Sequence, residues 1–252
     1  MDDKNRLEEN EVKMQKGKFS RWLENYLYHY KWHTIAVAFV VIVVVICTLQ
    51  MCDKTSYDML IVYAGNKDIE RTSTNGGTPE YADVSGAFKN VIDDYDENGE
   101  LSVSLKTMFW MSSNEIKAWN EANNNKEIED REELNTLLIQ NNHTEITDLI
   151  TYSEYYLWFM SDDLYNDIMS KSPDRFMPLD SLVPEGKEVS YCGDGTYAIY
   201  LSSTAFYDLP GVKNLPSDTV IVLRRLGVGT NKSTEKSYEN SIKVIKNILR
   251  FE

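Results

Sequence analysis

Apolar residues are spread unevenly along this chain. From Thr34 to Cys52 (TIAVAFVVIVVVICTLQMC) there is no charged side chain, and ten of the twelve residues from Ile35 to Ile46 are Ile, Val or Phe. About 18 residues of α-helix cover about 27 Å, close to the hydrocarbon thickness of a bilayer. A lone strand of the same residues would leave its backbone polar groups unpaired in lipid, so the stretch predicts a transmembrane helix over 34–52. Just before it, Phe19, Trp22, Leu23, Tyr26, Leu27 and Tyr30 recur on one helical face, opposite Arg21, Glu24, Asn25 and Tyr28. That pattern predicts a juxtamembrane amphipathic helix over 19–33, or equally a longer membrane helix with an aromatic collar closed by Trp32 and His33. Residues 1–18 mix charges, hold few large apolar groups and read as a disordered arm.

Beyond residue 52 the pattern becomes that of a globular domain, 53–252. Tyr57–Ala64 is a continuous apolar run stopped by Gly65, the signature of a strand buried on both faces. A polar loop over Asp68–Pro79 precedes a predicted helix over Glu80–Tyr95, with Tyr81, Val84, Phe88, Val91 and Ile92 inward. Leu101–Met111 resumes a strand, giving a β-α-β opening whose crossover is right-handed. Ser112 with Glu115 three residues later marks a helix start carrying Ile116 and Trp119. Glu121–Asp130 is a polar bridge, and Arg131–Asn141 predicts a helix burying Leu134, Leu137 and Leu138. Tyr155–Met160 is a strand that runs into Ser161-Asp162-Asp163, the cap and acidic first turn of a helix reaching about Lys171. Pro173, Pro178 and Pro184 punctuate a loop, Tyr197–Leu201 and Thr219–Leu223 are short strands, and Tyr238–Leu249 is a closing helix with an apolar stripe. Alternating strands and helices predict an α/β domain with a mainly parallel sheet.

Charge sets orientation and excludes partners. Lys13, Lys16, Lys18, Arg21 and Lys31 precede the span against Lys54, Lys67 and Arg71 after it, which places the N-terminus in the cytoplasm and the C-terminal domain outside the cell membrane. Residues 1–33 hold seven basic and six acidic of the chain's 26 and 40, leaving the outer domain 19 basic and 34 acidic, a net of −15. Such a surface argues against nucleic acid and anionic lipid as its partners. The 33 residues ahead of the apolar core and the lack of an A-x-A site favour an uncleaved anchor over a signal peptide. Cys52 follows Leu49-Gln50-Met51, where the bulky Met51 fits a lipoprotein processing site poorly. Of the three cysteines only Cys192 lies in the outer domain, so no disulfide framework exists there, and a lone cysteine reads as a small buried residue.

Motifs for common chemistries are absent: there is no GxGxxG, no GxxxxGK[S/T], no GxSxG, and no HExxH or CxxC spacing for zinc. His143, within Asn141-Asn142-His143-Thr144, reads as a solvated loop residue. Asp94, Asp96, Asn98, Gly99 and Glu100 match the front half of a calcium loop, whose twelfth position is Leu105 instead of a bidentate Glu. A weak calcium site and a plain Asn-Gly turn both remain open there; no other cofactor is indicated. Three acidic clusters, Asp93/Asp94/Asp96, Glu127/Glu129/Asp130 and Asp162/Asp163, read as solvated faces ahead of a carboxylate-dependent hydrolase. Tyr155, Tyr156, Trp158 and Phe159, with Trp110 and Trp119, read as core before they read as a stacking platform.

The anchor ENYLYHYKWHTIAVAFVVIVVV, the strand YDMLIVYAG, the turn and strand DENGELSVSL, the segment YLWFMSDDLY and the closing Tyr-containing helix together resemble small membrane-anchored proteins of Gram-positive, clostridia-type bacteria. The outer domain of such proteins is similar to a reduced periplasmic solute-binding protein. The resemblance implies a location and a fold, and carries no catalytic residues. Parallel α/β sheets take ligands beyond the carboxyl ends of their strands. That rule selects Gly65, Asn66, Ser112, Ser113, Ser161 and Asp162 as candidate ligand contacts, with no catalytic residue. The expectation is a non-enzymatic, membrane-tethered binding domain for a small molecule. The alternative is a scaffold or assembly subunit bound to a membrane-protein partner.

Overall fold

The computed structural model describes residues 17–52, 57–69, 79–126, 133–227 and 231–252. The chain divides into two units, residues 1–55 and 56–252. Most of the N-terminal arm, Lys54, Arg71, the cluster Glu127/Glu129/Asp130 and the side chains of Leu23, Leu27 and Cys52 lie outside the described residues.

The described residues of the first unit form one helix, α1, running from Lys18 to Cys52 without interruption. Thr34 Oγ1 donates to Tyr30 O at 3.0 Å, so the hydroxyl turns back onto its own helix where a break between two helices was an option. The predicted 19–33 and 34–52 segments are thus continuous in one helix. Phe19, Trp22, Tyr26 and Tyr30 stack in series with ring centroids 6.0, 5.6 and 5.3 Å apart, as their three- and four-residue spacing dictates. Tyr28–Thr48 is long and apolar enough to cross a membrane, and none of it is buried within the protein.

The second unit is an α/β fold. In chain order it comprises β1 (Met59–Gly65), α2 (Pro79–Phe88), β2 (Val103–Phe109), α3 (Ser113–Asn124), α4 (Thr136–Tyr152), β3 (Leu157–Ser161), α5 (Asp162–Lys171), β4 (Ala198–Tyr200), β5 (Thr219–Leu223) and α6 (Lys232–Arg250). The five strands lie in the order β2-β1-β3-β5-β4. β1 pairs in parallel with both β2 and β3, while β5 is antiparallel to β3 and to β4. The sheet is therefore mixed, where the sequence predicts a mainly parallel one. The link from β4 to β5 explains this. It contains only short 3₁₀ turns, at 201–203, 205–208 and 212–214, broken by Pro210-Gly211 and Pro216. Without a crossover helix the chain returns beside β4 running the other way.

Apolar side chains on both faces of the central strands require cover on both sides. On one face Ile61, Tyr63, Phe159 and Ile221 pack against α2 and α6; on the other Val62, Ala64, Trp158 and Val222 pack against α3, α4 and α5. Trp158 and Phe159 are fully buried on opposite faces, each contributing roughly 2–3 kcal/mol by burial. Both are core, as expected of the YYLWFM run.

Two helices depart from the pattern reading. α2 ends at Phe88, seven residues early, because the Asn90 side chain donates to Ala87 O at 2.9 Å and caps the last turn. Val91 and Ile92 are still buried, now carried by the turn that follows. α4 continues past Asn141 to Tyr152, and its buried face is Ile139, Ile146 and Ile150, with Leu137 and Leu138 65% and 42% exposed. Its polar mid-section survives because two members have tertiary partners. Asn142 Nδ2 donates to Phe109 O at 2.8 Å, and His143 Nδ1 accepts from Trp110 Nε1 at 3.2 Å. His143 is thus a half-buried helical residue and no loop position.

Arg224, directly after β5, closes the layer formed by α4. Its guanidinium donates to the carbonyls of Ile150 and Thr151 at 3.1 and 3.5 Å and to that of Ser153, and lies 4.6 Å over the Tyr156 ring. The final carbonyls of a helix carry a partial negative charge that a cation satisfies. Arg224→Met leaves those carbonyls without a partner. The expected loss is about 3 kcal/mol, read as a fall in Tm of roughly 6–12 °C by circular dichroism; Arg224→Lys, with one donor head in place of the planar fork, recovers part of it.

Candidate functional site

The carboxyl ends of β1 and β3 meet at the point where the chain reverses direction across the sheet. From β1 it crosses to β2 through α2 on one face, then returns on the other face through α3 and α4 to β3 on the opposite side of β1. Ligands of open α/β sheets settle in the crevice that such a reversal leaves.

Five of the six predicted contacts converge on this edge. Gly65, the last residue of β1, accepts Trp110 N–H at 2.8 Å. A Cβ placed on Gly65 would stand 2.9 Å from Tyr63 Oη and 3.7 Å from Ser161 N, so glycine is what leaves room for the tyrosine hydroxyl. Asn66 Nδ2 donates to Glu115 Oε1 at 2.6 Å, and Glu115 Oε2 accepts the Ser112 N–H at 2.7 Å. Ser112 Oγ accepts the Glu115 N–H at 3.2 Å, completing a reciprocal cap on α3. Ser161 is buried and its hydroxyl accepts from Leu164 N–H as the cap of α5. Asp162 N–H donates to Asp218 O at 3.1 Å, and Asp162 Oδ2 accepts from the Tyr200 hydroxyl at 3.1 Å. Ser113 points elsewhere: it is exposed and lines an open cleft of about 630 Å³ with Trp110, Ser112, Gln140, His143, Asp163 and Lys171. That volume lies within the range of small-molecule sites.

Reading the sequence alone misses Tyr63 and Asp218. Tyr63 sits inside an apolar run and is 1% exposed, yet its hydroxyl has no hydrogen-bond partner among the described residues. Burial raises its pKa, reinforced by the charges of Asp218 and Glu115; the Lys67 backbone N–H faces the hydroxyl without closing a hydrogen bond. Asp218 is also pushed up, by burial first and then by Asp162, Glu115 and Asp163. The only sequence signal for Asp218 is its position just before β5, a strand whose antiparallel return brings it to this edge. Cys192 is buried as expected, with its thiol pKa raised by burial, beside Asn166.

The calcium-loop residues lie at the other end of β1. Asp94 accepts the backbone N–H groups of Asn98 and Gly99 at 3.1 and 2.7 Å, and Asn98 Oδ1 accepts Glu100 N–H at 2.7 Å. The turn needs the left-handed backbone of Glu97 and Gly99. Asp96 accepts from the Asn98 backbone and side chain at 3.2 and 2.9 Å. Sequence reading misses Asp58, which joins Asp94 and Asp96 with carboxylate oxygens within 4.8 Å of one another. Asp58 is 6% exposed and accepts from Tyr95 N, Asp96 N, Ser102 N and Ser102 Oγ. Those four donors fill the lone pairs of one carboxylate, so the chain itself satisfies Asp58. Glu100 is exposed. Set against known proteins, the chain matches no protein-family model, no curated protein and no solved structure.

Two stability measurements follow from these groups. Burial works to raise the Asp58 pKa, but the N–H groups of Ser102, Asp96 and Tyr95 and the Ser102 hydroxyl outweigh it and hold the carboxyl below its usual value. The stabilisation it brings is present above the unfolded-state pKa near 3.8 and is lost as pH falls through the lower folded value. Asp58→Asn, which turns an amide toward backbone donors, should cost about 2–3 kcal/mol at pH 7; its urea midpoint should fall less steeply than the wild type's below about pH 4. Tyr63→Phe removes an unpartnered buried hydroxyl and should raise Tm by about 2–4 °C in the absence of ligand. A fall in Tm would mean that the hydroxyl is bonded in the unliganded protein.

Proposed function

We propose that this chain is a membrane-tethered binding domain, non-enzymatic, held outside the cytoplasm by α1 and taking a small polar solute at the carboxyl edge of its sheet. The observation that carries this reading is the open cleft of about 630 Å³ beyond β2, adjoining the crevice at the reversal point. Its floor of Trp110, Met111 and Ile116 lies under a largely polar rim that includes Asn114, Gln140, Asp163 and Lys171, a lining that suits a polar solute with some apolar surface. The excess of Lys and Arg ahead of the apolar helix supports an N-terminus in the cytoplasm and an outer domain beyond the membrane. The single five-stranded sheet among the described residues suits one lobe of a solute-binding protein, consistent with a reduced version of that architecture.

A second reading, a scaffold subunit that binds a membrane-protein partner, is favoured by Leu137 and Leu138 on the outward side of α4. The two separate on thermal unfolding of the full-length protein in detergent, against sugars, amino acids, short peptides and calcium. A solute at about 100 times its Kd adds about 2.7 kcal/mol, a rise in Tm of roughly 5–10 °C. A flat response to every class from folded protein would reject the solute reading in favour of the scaffold.

A further inference from the structure

Four acidic side chains gather where β1 and β3 end, and one buried hydroxyl is aimed among them. Tyr63 Oη is closed off from solvent and bonds to no described group, which is costly for a buried hydroxyl unless another molecule completes it. It points along β1 toward the carboxyl edge, into the space that the missing side chain of Gly65 leaves beside Ser161 N. Around it stand Glu115 and Asp218, with Asp162 and Asp163 next to Asp218. Lys67, the base described on the β1 loop, is already engaged: its Nζ donates to Asn214 O at 3.0 Å and lies 3.6 Å from Glu80. Negative charge therefore accumulates here among the described residues, and Lys171, the base that lines the adjoining cleft, is itself paired with Asp167 at 2.7 Å.

We infer that this crevice takes the ammonium group of a small amine solute, with Tyr63 as a neutral acceptor and Glu115, Asp162 and Asp218 as the surrounding charge. The inference rests on the binding-domain reading above and names the ligand class for it. A bare divalent ion suits the geometry less well. Calcium holds its oxygens at 2.3–2.6 Å, so carboxylates sharing one ion stand within about 5 Å of each other. Among the described residues only Asp58, Asp94 and Asp96, at the far end of β1, come that close. A wider ring of acceptors fits an ammonium, whose N–H···O bonds run to about 2.8 Å. The arriving cation replaces the neutral amide of Asn66 on Glu115, exchanging a neutral donor for a charged one. The alkyl body of the solute then lies toward the cleft, which begins at Ser112 and Asp163 and is floored by Trp110 and Ile116.

Isothermal titration of the full-length protein in detergent micelles tests this with putrescine, beside 1,4-butanediol and succinate as neutral and anionic analogues of similar length. Putrescine should bind at least tenfold tighter than butanediol, and succinate should not bind. Asp218→Asn should weaken putrescine tenfold or more with Tm unchanged or raised, since it removes a like charge; Tyr63→Phe should weaken it several-fold. Asp174→Asn, the same charge change at an exposed position remote from this edge, should leave affinity unaltered. If Asp174→Asn weakens binding as much as Asp218→Asn, or if neither site variant matters, the crevice is overturned as the amine site. Binding of butanediol or succinate in preference to putrescine overturns the amine class and leaves the binding-domain reading in place. If no compound binds here and the broader solute panel is also flat, both fall.

Discussion

Three adjacent strands that are apolar on both faces set most of the outer domain. β1, β3 and β5 bury nearly every residue, so none can lie at a solvated surface and each needs helices above and below. Satisfying that demand takes α2 to one face and α3 and α4 to the other, and the switch of faces around β1 opens the crevice at the carboxyl edge. The candidate site is thus a consequence of how the core is covered. Gly65 lies at the seam: the strand must end there with no side chain, because Tyr63 from the same strand occupies the space.

Two buried charges hold the periphery to this sheet, and they do so on opposite terms. Asp58 is surrounded by donors that outweigh its desolvation, which makes it a net stabiliser of the turn that delivers β2. Arg224 is the reverse case: burial lowers its pKa, offset in part by the neighbouring Tyr156, and its guanidinium depends on the carbonyls at the end of α4. Removing such an ion is costly mainly because it strands the groups it bonds. Arg224 therefore acts chiefly to fix where α4 ends relative to β3 and β5, and through α4 it positions His143 and Trp110 at the wall of the cleft.

Local chemistry explains which parts of this arrangement were legible from residues alone. The run YLWFM followed by Ser161-Asp162-Asp163 and the pair Ser112/Glu115 encode strand, cap and helix start within a few positions, and all appear where the pattern places them. The path of β5 was not legible, because a return of opposite direction depends on the absence of a crossover helix over 201–218, a stretch whose 3₁₀ turns have no periodic signature. The buried face of α4 was misread for a related reason. Leu134 packs against the core as expected, but Leu137 and Leu138 face outward: Asn142 and His143 are held by Phe109 and Trp110, partners some 33 residues away, an orientation that goes with Ile139, Ile146 and Ile150 inward. The strand-end rule selects Gly65, Asn66, Ser112, Ser161 and Asp162, which share one edge of the sheet, whereas Tyr63 and Asp218 join them only through three-dimensional placement.

Composition alone could not have pointed to a cation site. The chain's net charge of −14 is spread over many solvated carboxylates, and at physiological ionic strength each is screened beyond about 8 Å. A bound ligand responds only to charges inside that radius and partly withdrawn from water. Asp218 meets both conditions, since burial raises its pKa and three neighbouring carboxylates raise it further; most of the remaining acidic residues are exposed. What distinguishes the edge of β1 and β3 is therefore the partial burial of its charge together with a neutral acceptor, Tyr63, that no described group completes. An anionic solute would meet repulsion there and a neutral one would leave the carboxylates uncompensated, whereas an ammonium answers both the charge and the unfilled hydrogen bond at once.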